Sequence, residues 1–158
     1  METGKGLIHS VLGLCLFALF SCGPRVKYSE VYDIDPDGWK IKDTLSFSLE
    51  VEDTTKPYNY FVAIKNTKEY QYSNFILFME AYGPNGLKAK DTLHFTMAYP
   101  DGRWTGKSFG AEVSNKFLIK KGAPFPHPGT YGFVFYHAMR DSSVENITNL
   151  GLIIEELP

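Results

Sequence analysis

Cys22 carries the clearest chemistry in the sequence. It closes the tetrapeptide Leu19-Phe20-Ser21-Cys22, after a start bearing Lys5 and a mostly apolar run from Leu7 to Phe20. An aliphatic residue at −3, a small residue at −1 and cysteine at +1 resemble a bacterial lipobox. In that reading the Cys22 thiol takes a diacylglycerol, cleavage falls after Ser21, and the new terminal amine is open to acylation by a palmitate-type chain. Two or three chains anchor a protein stably, whereas one binds reversibly. The apolar run spans about 14 residues, short of the roughly 20 needed to cross a bilayer, so it reads as a signal peptide over residues 1–21. The other cysteine, Cys15, lies inside that run and leaves with it. No disulfide is then available to the mature chain.

Other residue types that could do chemistry are scattered. His94, His127 and His137 lack the paired spacing of metal ligands. His94 and His137 are expected on strands, facing solvent or hydrogen-bonded, and His127 in a rigid turn between Pro126 and Pro128. Asp33, Asp35 and Asp37 alternate as in a calcium loop, but Gly38 comes too soon and no glutamate closes the loop. There is no Gly-x-Ser-x-Gly elbow, and an acylated Cys22 leaves no free thiol nucleophile. The expectation is therefore no enzyme, no metal and no cofactor. Tyr99, Arg103 and Trp104 form a candidate partner-binding loop, because these residue types dominate interface energetics. The competing expectation packs Trp104 over a sheet edge and pairs Arg103 with Asp101 to hold the loop in shape.

The elements that must position these residues read as strands. Period-two alternation runs through Leu45-Ser46-Phe47-Ser48-Leu49-Glu50-Val51, and further strands are expected over residues 58–65, 74–82, 89–98, 116–121, 129–139 and 150–155, with 74–82 apolar enough to be buried on both faces. Gly83-Pro84-Asn85-Gly86 and Pro100-Asp101-Gly102 are turns. No segment beyond residue 22 carries an apolar stripe at helical spacing over three turns. The expected fold is all-β, a single β-sandwich of Ig-like or jelly-roll-like type with about seven or eight strands over residues 43–158. Residues 22–42 are expected to form the lipidated cysteine and an N-terminal tether. Aromatic residues make up 15% of the chain and must supply the core. Sixteen basic against eighteen acidic residues, with no basic block, speak against a nucleic-acid partner.

The lipobox, Pro57-Tyr58-Asn59, the run Glu69-Tyr70-Gln71-Tyr72-Ser73-Asn74, and above all Asp91-Thr92-Leu93 followed by Tyr99-Pro100-Asp101-Gly102-Arg103-Trp104-Thr105-Gly106-Lys107-Ser108-Phe109-Gly110 resemble the GldH family of gliding-motility lipoproteins from Bacteroidota. Phe125-Pro126, Gly129-Thr130-Tyr131 and His137-Ala138-Met139-Arg140 agree. The resemblance implies an accessory or scaffold protein of the cell envelope, membrane-bound through its lipid and partnered by components of gliding or type IX secretion machinery. It brings no catalytic residues. A carbohydrate-binding envelope lipoprotein is the alternative, suggested by a sandwich rich in Tyr and Trp. In this phylum an acidic cluster just after the lipidated cysteine often marks surface export; its absence from Gly23–Glu30's first residues points to the periplasmic face of the outer membrane. Asp-Thr triplets at Thr44, Thr54 and Thr92 match the O-glycosylation pattern of the same bacteria and are expected to serve only where the threonine is exposed.

Replacing the thiol is the direct test of the anchor. Cys22→Ser is expected to release the protein from the membrane fraction and abolish labelling by a clickable fatty acid. Unchanged retention and labelling would contradict the lipobox.

Overall fold

The computed structural model describes residues 25–86 and 88–157. Cys22 and the cleavage position after Ser21 lie outside the described residues. Eleven strands follow in chain order: β1 (Arg25–Asp33), β2 (Trp39–Lys40), β3 (Leu45–Val51), β4 (Tyr58–Thr67), β5 (Asn74–Tyr82), β6 (Lys88–Thr96), β7 (Lys107–Phe109), β8 (Glu112–Ala123), β9 (Gly129–His137), β10 (Ser143–Val144) and β11 (Ile147–Glu156). They form a five-stranded sheet β1-β11-β4-β8-β7, a four-stranded sheet β3-β9-β5-β6 and a small pair β2-β10. All pairings are antiparallel. The fold is all-β and sandwich-like.

Seven strands fall where the alternation places them. The other four, β1, β2, β7 and β10, lie where the pattern is weak. The stretch expected to be a tether is already strand at Arg25, and β1 runs against β11 from Arg25↔Glu156 to Asp33↔Asn149. The reason is that an edge strand is held chiefly by main-chain hydrogen bonds along one side, which place little demand on side-chain type. Val26 and Val31 accordingly remain exposed. Trp39, also in the expected tether, is 1% exposed and donates its indole N–H to the Asp43 carbonyl at 2.9 Å.

The inner faces interlock through aromatic rings. Tyr32 meets Phe47 at 4.9 Å between centroids where β1 lies over β3, and Phe95 meets Phe117 at 4.8 Å where β6 lies over β8. Tyr60 and Phe133 join the middle of the sandwich at 6.3 Å. Offset and edge-on ring pairs each add about 0.5–1.5 kcal/mol beyond their buried area. Leu150, Leu152 and Ile154 of β11 and Val62 and Ile64 of β4 fill the space between, all essentially inaccessible.

Register gives the sandwich two distinct ends. Arg25, Val51, Tyr58, Tyr82, Ala123, Gly129 and Glu156 mark one end, and Asp33, Leu45, Thr67, Asn74, Thr96, Glu112, His137 and Ile147 the other. The second end is plugged by Trp39, which meets Phe75 at 5.9 Å and His137 at 6.0 Å. Contrary to the expectation of a solvent-facing or hydrogen-bonded residue, His137 is 1% exposed, and neither ring nitrogen makes a hydrogen bond of ordinary geometry. It sits at an inward position of β9, in step with Phe133 and Phe135, so the pleat carries it into the core.

Burial lowers the His137 pKa below its ordinary 6.5, opposed by the Trp39 backbone and by the Asp141 and Asp43 carboxylates. The folded state therefore holds the neutral ring, and its contribution is complete above the unfolded pKa. It fades as pH falls from about 6.5 towards the folded value, at up to about 1.4 kcal/mol per pH unit. Thermal unfolding followed from pH 7 to pH 5 is expected to show falling stability in the wild type and a flatter profile in His137→Phe.

Candidate functional site

The connection from β6 to β7 passes from one sheet to the other at the Trp39-plugged end, and it is a miniature hairpin. Gly102 N–H donates to the Tyr99 carbonyl at 2.9 Å, Tyr99 N–H to the Arg103 carbonyl at 2.8 Å, and Ala98 pairs with Trp104 in an antiparallel bridge. Gly102 has φ +84°, a backbone conformation that a Cβ opposes. Asp101 braces the turn, accepting from the Arg103 backbone N–H at 3.0 Å and from its Nε at 2.7 Å. The Arg103 hydrogen bonds hold the Asp101 carboxyl below its ordinary pKa. The guanidinium also lies 5.3 Å from the Tyr99 ring centroid, a stacked arrangement.

This geometry separates the three residues proposed as one binding loop. Trp104 is half-buried and packs against the core, while Tyr99 is 46% exposed and Arg103 is exposed beside it. The Asp101–Arg103 pair is the shape-holding contact expected as the competing reading. Thr105 fastens the base of the loop: its N–H donates to the Met97 carbonyl at 2.9 Å, and its hydroxyl lies within 3.0 Å of the Met97 carbonyl and Asn115 Oδ1.

The most exposed large apolar side chain among the described residues is Phe109, at 89%. It stands at the tip of the β7–β8 hairpin, just before Gly110, whose φ of +58° makes the turn. Lys68 N–H donates to the Ala111 carbonyl at 2.9 Å, tying that tip to the β4–β5 connection. Phe109 is thus presented on a fixed hairpin, which limits the ordering entropy lost on binding. Sequence reasoning passed over it, although an aromatic residue directly before a turn glycine was the available signal. Tyr72, 37% exposed and donating its hydroxyl to the Asp141 carboxylate, lies at the same end.

The remaining candidates are dispersed. Among the described residues no group of three or more His, Cys, Asp or Glu is placed to hold a metal ion. Asp35 and Asp37 form a local turn, with Asp37 N–H donating to Asp35 Oδ1 at 2.9 Å. Thr44 and Thr92 are exposed and Thr54 is half-buried. A sugar platform requires exposed, coplanar aromatic rings, whereas Trp39 is buried and Trp104 is turned inward.

With this geometry in view, the comparisons with known proteins decide the family. The model of the GldH lipoprotein family matches residues 26–154. The chain belongs to the GldH lipoprotein family. It is 33% identical to the "Gliding motility lipoprotein GldH homolog" of Christiangramia forsetii, over 99% of this chain and 98% of that one. It is 31% identical to the "Gliding motility lipoprotein GldH" of Flavobacterium johnsoniae, over 92% of this chain and 94% of that one. Membership in this lipoprotein family makes it a membrane-anchored protein of the cell envelope. Among solved structures, an arabinose-bound α-L-arabinofuranosidase is 12% identical at a TM-score of 0.37, over 85% of this chain and 23% of that one. The VP2 subviral particle of infectious bursal disease virus is 13% identical at 0.35, over 84% and 33%. The chain thus spans a third or less of either structure.

In this GldH-family chain Gly106 has a packing reason of its own. A Cβ there would fall 2.5 Å from the Ser114 carbonyl oxygen and 2.6 Å from Asn115 Oδ1. Gly106→Ala is expected to cost about 1–3 kcal/mol through this overpacking, read as a lower thermal midpoint. Arg103→Ala, on the exposed side of the loop, is expected to leave the midpoint nearly unchanged.

Proposed function

We propose that this protein is a non-enzymatic scaffold of the gliding and type IX secretion machinery, held by lipid on Cys22 at the periplasmic face of the outer membrane. It offers the end of the sandwich bearing Tyr99, Arg103 and Phe109 to a protein partner. The observation that carries this reading is the polarity of the sandwich. β1 begins at Arg25, three residues after Cys22, at the end opposite Phe109. The three Cα–Cα steps from Cys22 to Arg25 span at most about 10 Å, so the Arg25 end lies close to the bilayer. The twelve residues of β8 then carry the Phe109 hairpin about 40 Å away along the strand direction. An exposed Phe, a Tyr and an Arg on pinned hairpins have the composition of an interface anchor. Family membership supplies the motility context.

A photoreactive amino acid placed at Phe109 or Tyr99 in the native host tests the assignment. Adducts with a motility or secretion component are expected from these positions and not from Thr130, which is exposed at the opposite end. Failure to trap such a component from either position would overturn the proposed partner surface.

A further inference from the structure

The membrane-side end of the sandwich is not filled. A half-open cleft of about 720 Å³ lies between the two sheets there, walled by Met79, Ala81, Ala89 and Leu93 from the β5–β6 side and by Ile119 and Phe125 from the other. Its size and mainly apolar lining match a small-molecule or acyl-chain site. The cause is local. Facing sheets stand about 10 Å apart and need bulky side chains to meet. Elsewhere Phe47, Phe75, Phe95, Phe117 and Phe135 provide them, but the opposed pair Ala81↔Ala89 ends in methyl groups.

The far wall is rigid. Phe125 is 3% exposed and rests on Tyr58, Tyr60 and Tyr131 at centroid distances of 5.3, 5.5 and 4.6 Å. The loop bearing it is fastened by Tyr131, whose hydroxyl donates to the His127 carbonyl at 2.8 Å. At the near wall a Cβ on Gly129 would sit 2.8 Å from Pro84 Cβ, so the β5–β6 turn is seated against the start of β9. With both walls held, the side chains around the cleft have little freedom to collapse into it.

We propose that this cleft takes one acyl chain of a membrane phospholipid, docking the membrane-side end of the domain onto the bilayer as a second contact beside the anchor. Orientation rests on the Cys22 anchor reading; the cleft itself does not. Only Gly23 and Pro24 separate Cys22 from Arg25, which keeps this end within about 10 Å of the bilayer. β8 lies three strands across the sheet from β1, about 14 Å away, so the cleft opens near the lipid surface but to one side of the anchor. The rim suits a phospholipid headgroup. Lys120 borders the cleft and Lys121 follows it, with Asp91 the acid among the cleft's lining residues; Arg25 and Lys27 are exposed at the same end, beside Asp53 and Glu156. The roughly 0.8 kcal/mol per CH₂ gained on leaving water is already held in the bilayer, so occupancy of the cleft rests on the fit of its fixed walls and on headgroup contacts at the rim.

The test reconstitutes the native lipoprotein in phosphatidylethanolamine–phosphatidylglycerol vesicles containing phosphatidylethanolamine with a diazirine at the acyl terminus. Photolabelled peptides are expected from residues 79–93 and 119–127. Labelling is expected to fall at least tenfold in Ala81→Trp, with membrane retention unchanged. Ala89→Phe, on the exposed edge strand, serves the same purpose if Ala81→Trp does not fold. Labelling confined to other segments, or unaffected by a folded cleft-filling variant, overturns the proposal. Labelling of the cleft only after Cys22→Ser removes the anchor would mean that the chain's own acyl group occupies it, and would overturn the proposal equally. Failure of the anchor reading is separable: soluble Cys22→Ser protein is expected to bind lysophosphatidylethanolamine, and to lose that binding in the same variants, whatever holds the native protein to the membrane.

Discussion

The structure depends on two pleated faces meeting through aromatic rings. Both cysteines of the chain, Cys15 and Cys22, lie at its start, so no covalent staple crosses the described domain. Cohesion comes instead from burial of Trp39, Phe47, Tyr58, Phe75 and Phe135, each 1% exposed or less, together with the aliphatic side chains of β4 and β11. At about 25 cal/mol per Å² of apolar surface removed from water, large flat rings are the efficient way for a domain of this size to offset chain entropy. Ring contacts at both margins, Tyr32 on Phe47 and Phe95 on Phe117, keep the sheets from splaying.

The distribution of those rings makes the two ends unlike each other. At one end Trp39, Tyr70, Phe75 and His137 fill the gap, and the connections around it are fastened by main-chain hydrogen bonds. A well-filled end can carry rigid protrusions, and the Phe109 hairpin and Tyr99 turn stand there. At the other end two alanines lie side by side on β5 and β6, and the sheets enclose a cleft. The difference in packing between the two ends thus has one origin, the placement of bulky side chains along β5, β6 and β9.

Polar groups inside the sandwich refine this picture. Asn115, 8% exposed, accepts from the Thr105 hydroxyl and so joins the inter-sheet crossing to β8. Asn66, fully buried, donates to the Thr67 carbonyl at 2.7 Å at the end of β4. A buried polar group left unpaired costs about 1–3 kcal/mol, so the Thr105–Asn115 contact fixes where the crossing lies against β8, whereas the Asn66 contact is local to the end of β4. The glycines of the Tyr99–Gly110 segment act in the same sense: Gly102 permits the turn, and Gly106 lets the crossing pass against Ser114.

Seven strands, the Gly83–Gly86 and Pro100–Gly102 turns and the all-β class were legible in the sequence, because alternation and turn chemistry are local properties. So was the family, through Pro100-Asp101-Gly102-Arg103-Trp104 and its flanks. The edge strand β1 was not legible, since its partner β11 lies more than a hundred residues away and the pairing uses backbone groups that every residue has. Nor was the division of Trp104 from Tyr99 and Arg103, because adjacent residues in an extended segment point to opposite sides, and only the docked sheet decides which side is the interior. The sequence by itself determined the element types, the loop chemistry and the lineage. Tertiary structure alone decided which aromatic residues became core, which became surface, and where the core ran short of volume, because each depends on which strands face one another across the sandwich.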